Sequence, residues 1–161
     1  MMAKAVLTMN SGNSNRSMKA QKLSTVVVIT GSTRGIGRGL ARGFLEKGCS
    51  VMINGRNSDS CQKALEKLKS LSENVDFVPG DVSSAETHER IAEETVRKFG
   101  HINYWINNAG ISNTYAPLDE LEFDEIKRVI DINLTGSVLG SAIAIRQMKK
   151  QGYGYVFNME G

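Results

Sequence analysis

A chain of 161 residues with 40% hydrophobic and 23% charged side chains has the length and composition of one globular domain with its own core. Two cysteines and two histidines are too few for a disulfide framework or a metal-ligand spacing, so a reduced compartment and no metal site are expected. The net charge is +3, and Lys4, Arg16, Lys19, Lys22, Arg34, Arg38 and Arg42 all precede the first acid, Glu46. Without interleaved aromatics or a clustered run these cations argue against nucleic acid, and no apolar run approaches the roughly 18 residues of a membrane span.

Residues 1–23 mix Ser, Asn, Met and cations without periodicity and read as a mobile tail; being basic and free of acids, the tail also fits an organelle transit segment. The domain occupies residues 24–161. Val26–Ile29 is β-branched throughout and reads as a buried parallel strand. It runs into Thr30-Gly31-Ser32-Thr33-Arg34-Gly35-Ile36-Gly37, where the glycines permit a sharp turn and a close approach to a ligand. The helix that follows, over 35–47, aims its free N–H groups at the same space, an arrangement that holds a phosphate. Ile36, Leu40, Phe44 and Leu45 form its apolar face, Gly39 and Gly43 would let it lie close to the sheet, and Gly48 ends it.

A second strand spans 51–54 and a helix 59–71, with Cys61, Ala64, Leu65, Leu68 and Leu71 in one stripe. A third strand over 75–78 is broken by Pro79-Gly80. Ser83 and Glu86 have the spacing of a capping box for a helix that runs to Phe99 and turns Ile91, Ala92, Thr95, Val96 and Phe99 inward. A fourth strand over 102–106 ends in Asn107-Asn108-Ala109-Gly110. One long helix is expected over 119–150, its stripe made by Ile126, Val129, Ile130, Leu134 and Val138, and Tyr155–Asn158 is a fifth strand. Strands alternating with helices predict a doubly wound α/β fold with a parallel sheet. The polar and glycine signals then all fall at the carboxyl ends of strands, the edge where such folds bind ligands.

The glycine loop suits a pyrophosphate. An NAD-selective site places an acid at the end of the second strand to bond the ribose hydroxyls, but Asn54, Gly55 and Arg56 stand there. Arg34 and Arg56 could bracket a 2′-phosphate, which favours NADP(H) over NAD(H). Asp81, followed by Val82, either accepts a bond from an adenine amino group or leads into the helix cap. Asn107 and Asn108 need partners at a buried strand end and would tie neighbouring strands, while Gly110 admits a ribose. Asn133 falls on a helix face that should be apolar. It is either a satisfied amide at a helix bend or a water-holding position in an active site.

Thr30–Gly37, Asp81-Val82, Asn107-Asn108-Ala109-Gly110 and Asn133 together resemble the ordered motif set of the short-chain dehydrogenase/reductase family over about residues 25–161. The resemblance implies a Rossmann-type sheet, a nicotinamide cofactor, and hydride transfer to or from a small-molecule carbonyl or alcohol. Thr30, Gly31, Ser32, Thr33, Arg34, Gly35, Ile36, Gly37, Arg56, Asp81, Val82, Asn108, Ala109 and Gly110 become candidate cofactor residues, Asn133 a candidate catalytic one, and the long helix a surface for a homo-oligomer. Trp105-Ile106-Asn107-Asn108-Ala109-Gly110, with Val156-Phe157-Asn158-Met159-Glu160-Gly161, looks like the chlorophyll(ide) b reductase branch, which implies a plastid location in place of a cytoplasmic one. The family's catalytic Tyr-x-x-x-Lys is not in the sequence, which reads as truncated before it, with about five strands of an incomplete fold. The alternatives to the cofactor half of an NADP(H)-dependent reductase are a non-catalytic NADP(H)-binding regulatory or interaction module and an inactive fragment.

Overall fold

The computed structural model describes residues 24–112 and 115–160. The tail assigned to residues 1–23 lies outside them. Five strands, β1 (Val26–Ile29), β2 (Ser50–Gly55), β3 (Val75–Pro79), β4 (Tyr104–Asn107) and β5 (Tyr155–Asn158), form one sheet in the order β3-β2-β1-β4-β5. All the pairings are parallel, with Val27 opposite both Val51 and Tyr104. This is the Rossmann-type doubly wound architecture expected from the sequence. β1 is fully buried on both faces, as its unbroken run of Val and Ile requires.

Two apolar layers sandwich the sheet. On one face α1 (Gly35–Glu46) and α2 (Ser58–Lys69) enclose Val27, Ile29, Ala41, Leu45, Ile53 and Leu65. On the other, α3 (Ala85–Phe99) and α5 (Gly136–Gln151) enclose Val28, Met52, Ile91, Trp105 and Ile143. Right-handed crossovers require this segregation when the chain reverses its direction of travel between β3 and β4. The reversal opens a crevice at the carboxyl ends of β1 and β4.

Several local expectations need correction. In α1 the buried positions are Gly37, Ala41 and Leu45, while Ile36 is 69% exposed. A Cβ on Gly39 or Gly43 would meet nothing within 4 Å, so these glycines do not bring the helix onto the sheet. Leu71 lies beyond α2 and is exposed. The capping box does not form: α3 begins at Ala85, and the Ser83 hydroxyl donates to Asp81 Oδ1 at 2.8 Å instead of capping the helix.

The expected long helix is divided. A 3-10 turn at Leu118–Glu120 precedes α4 (Phe123–Ile130), a π turn covers Asp131–Thr135, and α5 follows without a break. The wider π turn shifts the register. Ile132, Gly136, Gly140, Ala144 and Met148 become the inward row, whereas Ile130, Leu134 and Val138 of the expected stripe are exposed. Two of the inward residues are glycines, which carry no hydrophobic signal. A side chain at Gly140 would collide with Asn107, His88 and Trp105. Phe123–Gln151 is, by length and hydropathy, apolar enough to cross a bilayer, contrary to the reading of the sequence. Here it is the crossover between β4 and β5, two neighbours in one sheet, and its inner row is part of the core.

Candidate functional site

A cleft of about 450 Å³ opens along the carboxyl edge of the sheet. Its floor is the glycine loop between β1 and α1, and its walls come from Asn54–Arg56 after β2, Gly80–Val82 after β3, Asn108–Ile111 after β4, and Ile132 from the π turn. Four loops that are distant in sequence thus meet at one place because all five strands point the same way.

The loop is built to stay open. Gly31 has φ +61° and an added Cβ would lie 2.6 Å from the Ala109 Cα. A Cβ on Gly37 would lie 2.5 Å from Asn108 Nδ2 and 2.6 Å from the Gly31 carbonyl oxygen. Both positions therefore need glycine, one for its backbone angle and contact, the other for contact alone. Gly35, at φ +55°, has nothing within 4 Å of where its Cβ would be, and it faces the cleft. The twelve-residue α1 starts there with no side-chain cap at Arg34. Its first amides remain available to an anion, and the helix dipole adds to their attraction.

Thr30 and Asn108 join the two sides of the crevice. The Thr30 hydroxyl accepts from the Asn108 and Ala109 amides at 3.0 and 3.1 Å, and Asn108 Nδ2 donates to the Thr30 and Gly31 carbonyls at 2.9 and 3.1 Å. Asn107 ties β4 to its other neighbours. Its Nδ2 donates to Asn158 Oδ1 on β5 at 2.8 Å and to Ser141 Oγ on α5 at 3.0 Å, while its Oδ1 accepts from Trp105 Nε1 at 2.8 Å.

Asn54 does for β1, β2 and β3 what Asn108 does for β1 and β4. It is buried, its Nδ2 donates to the Val78 and Gly80 carbonyls at 3.0 and 3.2 Å, and its backbone pairs with Ser32. The sequence reading noted Asn54 as a strand-end residue without a carboxylate and gave it no structural role. An amide in a strand whose other residues are nearly all apolar was the available signal.

Of the predicted cofactor residues, Gly31, Thr33–Gly37, Arg56, Asp81, Val82 and Asn108–Gly110 line the cleft. Thr30 and Ser32 do not. Ser32 is fully buried and donates its hydroxyl to the Ile29 carbonyl at 2.6 Å, so it holds the turn rather than facing the cavity. Asn133 sits in the π turn, exposed, with both ends of its carboxamide engaged by one residue. Its Nδ2 donates to the Ile111 carbonyl at 2.8 Å and its Oδ1 accepts from the Ile111 amide at 2.9 Å. It thereby fixes Ile111, which lines the cleft.

The electrostatics of the rim are one-sided. The Arg34, Arg56 and Arg128 side chains make no ion pair or hydrogen bond among the described residues, and all three are exposed. Asp81 is the nearby acid. Its Oδ1 accepts from the Ser83 amide at 2.9 Å as well as from the Ser83 hydroxyl. Partial burial pushes this carboxyl up, but the two Ser83 bonds with the Arg56 and Arg128 charges outweigh it and hold Asp81 below the usual carboxylate range. Unpaired arginines near free helix amides suit an anion. The glycine cradle, the helix terminus and the apolar wall of Val82 and Ile132 fit a dinucleotide, whose bases need apolar walls and whose pyrophosphate needs donors. No group of three or more His, Cys, Asp or Glu that could hold a metal occurs among the described residues.

A parallel sheet with a glycine-rich loop at its crevice defines the class as a Rossmann-type α/β domain. The family model described as short chain dehydrogenase matches residues 25–160, and the chain belongs to that family. It is 37% identical over 153 residues to the "probable chlorophyll(ide) b reductase NYC1, chloroplastic" of Arabidopsis thaliana, covering 84% of this chain and 31% of that one. It is 38% identical over 133 residues to the L-rhamnose-1-dehydrogenase of Scheffersomyces stipitis, covering 80% and 51%. A solved short chain dehydrogenase from Bacillus anthracis superposes with a TM-score of 0.79 at 30% identity, over 84% of this chain and 56% of that one. The chain therefore spans about a third to a half of the length of these curated relatives.

Proposed function

We propose that this domain is the NADP(H)-binding portion of a reductase that moves a hydride to or from a carbonyl or alcohol. The observation that carries the reading is the pairing of an uncapped helix terminus at Gly35 with two unpaired arginines, Arg34 and Arg56, on a cleft that has no carboxylate at the end of β2. A ribose 2′-phosphate placed there meets two guanidinium forks, whereas a ribose bearing two hydroxyls meets no acceptor. The nicotinamide, when bound, supplies the hydride. The residues of this chain bind and orient the adenosine and pyrophosphate ends of the molecule.

The Arg34→Ala, Arg56→Asp double variant is expected to lose most of its NADPH affinity and little of its NADH affinity. Loss of a hydrogen bond to a charged group is worth roughly 1.5–3 kcal/mol, so the two contacts set a selectivity change of at least a hundredfold. Calorimetric titration with both cofactors reads it, and equal losses would overturn the NADP(H) assignment.

The chlorophyll(ide) b reductase branch is the substrate reading we favour, because 37% identity to a relative bearing that name extends over 84% of this chain. Asn133 we assign as a positioning residue, acting on the cleft through Ile111.

The exposed row of Ile130, Leu134, Val138 and Ile145 is the surface we assign to pairing with a second copy. Light scattering is expected to give a dimer that Leu134→Asp dissociates; a monomeric wild type would remove the assignment.

A further inference from the structure

The turn Gly80–Val82 is one wall of the cleft, and it leads into α3, the helix whose side-chain cap does not form. Two side chains from the first turn of that helix hold the wall from behind. Thr87 is buried against Gly80, where an added Cβ would stand 2.5 Å from its Oγ1. His88 is fully buried, and its Nε2 lies 2.8 Å from the Val82 carbonyl oxygen. Among the described residues no backbone amide donates to that carbonyl, so His88 is its donor. A carbonyl only accepts, which makes the imidazole the Nε2–H tautomer and leaves a lone pair on Nδ1. That nitrogen is buried without a partner. The Trp105 Nε1–H is already spent on Asn107 Oδ1 at 2.8 Å. Gly140 closes the remaining space, since an added Cβ would stand 3.0 Å from His88 Cε1 and 3.1 Å from Trp105 Nε1.

An orphaned ring nitrogen in the core carries a penalty that an apolar side chain of similar size avoids. What His88 adds against that penalty is its bond to Val82. We propose that His88 is a positioning residue of the nucleotide cleft, touching no ligand and acting by fixing the Val82 carbonyl and with it the wall on which the nucleotide rests. The inference rests on the dinucleotide reading above and adds to it a residue outside the cleft lining. It also makes the wall sensitive to acid. The groups against the imidazole are uncharged on every element packed around it: Val82 on the turn, Trp105 and Asn107 on β4, and Gly140 on α5. Asp81, the acid of that turn, is bonded to Ser83. A proton on Nδ1 would therefore create a buried cation whose new donor has no acceptor, and such a ring does not stay in place. Burial already holds the His88 pKa below the ordinary histidine value, against a smaller upward pull from the Val82 bond. The wall is thus intact at neutral pH and is lost as the pH falls through the native pKa, below about 6.5.

Calorimetric titration of the full chain with NADP+ and NAD+, which survive acid where the reduced forms do not, tests the role. At pH 7.5 His88→Leu is expected to weaken both ligands by about tenfold, the factor for a wall in place a tenth of the time. The ratio of the two affinities should not move, because the arginines assigned to the 2′-phosphate are untouched. His88→Gln offers an N–H at the reach of Nε2 and has no proton to gain, so it should recover most of the lost affinity. On lowering the pH to about 5, wild type should lose severalfold more NADP+ affinity than His88→Gln; the comparison cancels protonation of the 2′-phosphate itself. A His88→Leu variant that is folded by far-UV circular dichroism and binds as wild type does overturns the inference, as does a loss confined to NADP+ or one that His88→Gln shares in full. Where His88→Leu does not fold, the pH comparison decides, and parallel profiles for wild type and His88→Gln overturn the inference. Wild type that binds neither ligand overturns the dinucleotide reading itself.

Discussion

Trp105→Ala is expected to remove about 3–5 kcal/mol of folding free energy, the usual cost of emptying a large aromatic site. Trp105 is the single tryptophan of the sequence and is fully buried on the α3–α5 face of the sheet, among Ile91, Ile102, Ile143, Ala144 and Met148. Two effects add. The indole leaves a cavity bounded by α3, α5 and the sheet, into which the surroundings relax only in part. The lost N–H also leaves Asn107 Oδ1 without its donor in a buried position, and an orphaned acceptor carries its own penalty of about 1–3 kcal/mol. Against a total stability of about 5–15 kcal/mol for a domain of this kind, the loss is a large part of the whole. Trp105→Phe retains most of the volume and loses the hydrogen bond, so it should fall between. Urea unfolding followed by circular dichroism gives the three midpoints. A Trp105→Ala midpoint within 1 kcal/mol of wild type would show that this pocket is not what holds α3 and α5 to the sheet.

Acid is expected to weaken the same pocket. His88 is fully buried 6.0 Å from the Trp105 ring; its Nε2 donates to the Val82 carbonyl at 2.8 Å, and its Nδ1 has no partner. Burial pushes its pKa below the ordinary histidine value, against a smaller upward pull from the Val82 carbonyl. In the unfolded chain the imidazole takes a proton near pH 6.5, whereas the native state resists it. The unfolded state therefore binds more protons below that pH. The contribution of His88 is complete above about pH 6.5 and is lost as the pH falls toward the native pKa, by up to about 1.4 kcal/mol per pH unit. Asp81 acts in a separate window, since its lowered pKa matters only once the pH drops below the ordinary carboxylate value near 4. Urea midpoints by Trp105 fluorescence at pH 7.5, 6.5 and 5.5 should fall for wild type and stay nearly level for His88→Gln. Parallel slopes for the two proteins would refute the assignment.

The strands, the parallel sheet and the crevice were readable from the sequence because they rest on signals that survive without tertiary context. The β-branched run Val26–Ile29 marked β1, the short stretch Tyr155–Asn158 marked β5, both at their observed bounds, and alternation with helices pointed to a parallel sheet. The glycines at 31, 35 and 37 carried the loop, since each answers to backbone geometry or contact that no other residue satisfies. What escaped was decided by neighbours. The stripe of Ile130, Leu134 and Val138 was assigned inward on a uniform helical period, and the π turn displaced it by inserting a wider turn. Ser32 reads as a loop hydroxyl that could face a ligand, but β2 approaches closely enough to capture it. Gly39 and Gly43 suggested close helix packing because glycine permits it, yet permission is not contact.

The joint between Thr30 and Asn108 spans 78 residues of chain, and this separation governs when the site comes into being. β1, β2 and β3 can assemble by successive local crossovers, and by then Gly31, Arg34, Arg56 and Asp81 are all in place. The slot still lacks the strand that carries Asn108–Gly110. Closing a loop of this length is entropically costly before any contact rewards it, and such pairings set the pace of folding. The proposed affinity for a nucleotide is consequently a property of the finished sheet rather than of its glycine loop. Ligand in excess of its dissociation constant then draws the folding equilibrium forward by mass action, so a cell rich in the cofactor would hold more of this chain in its native form.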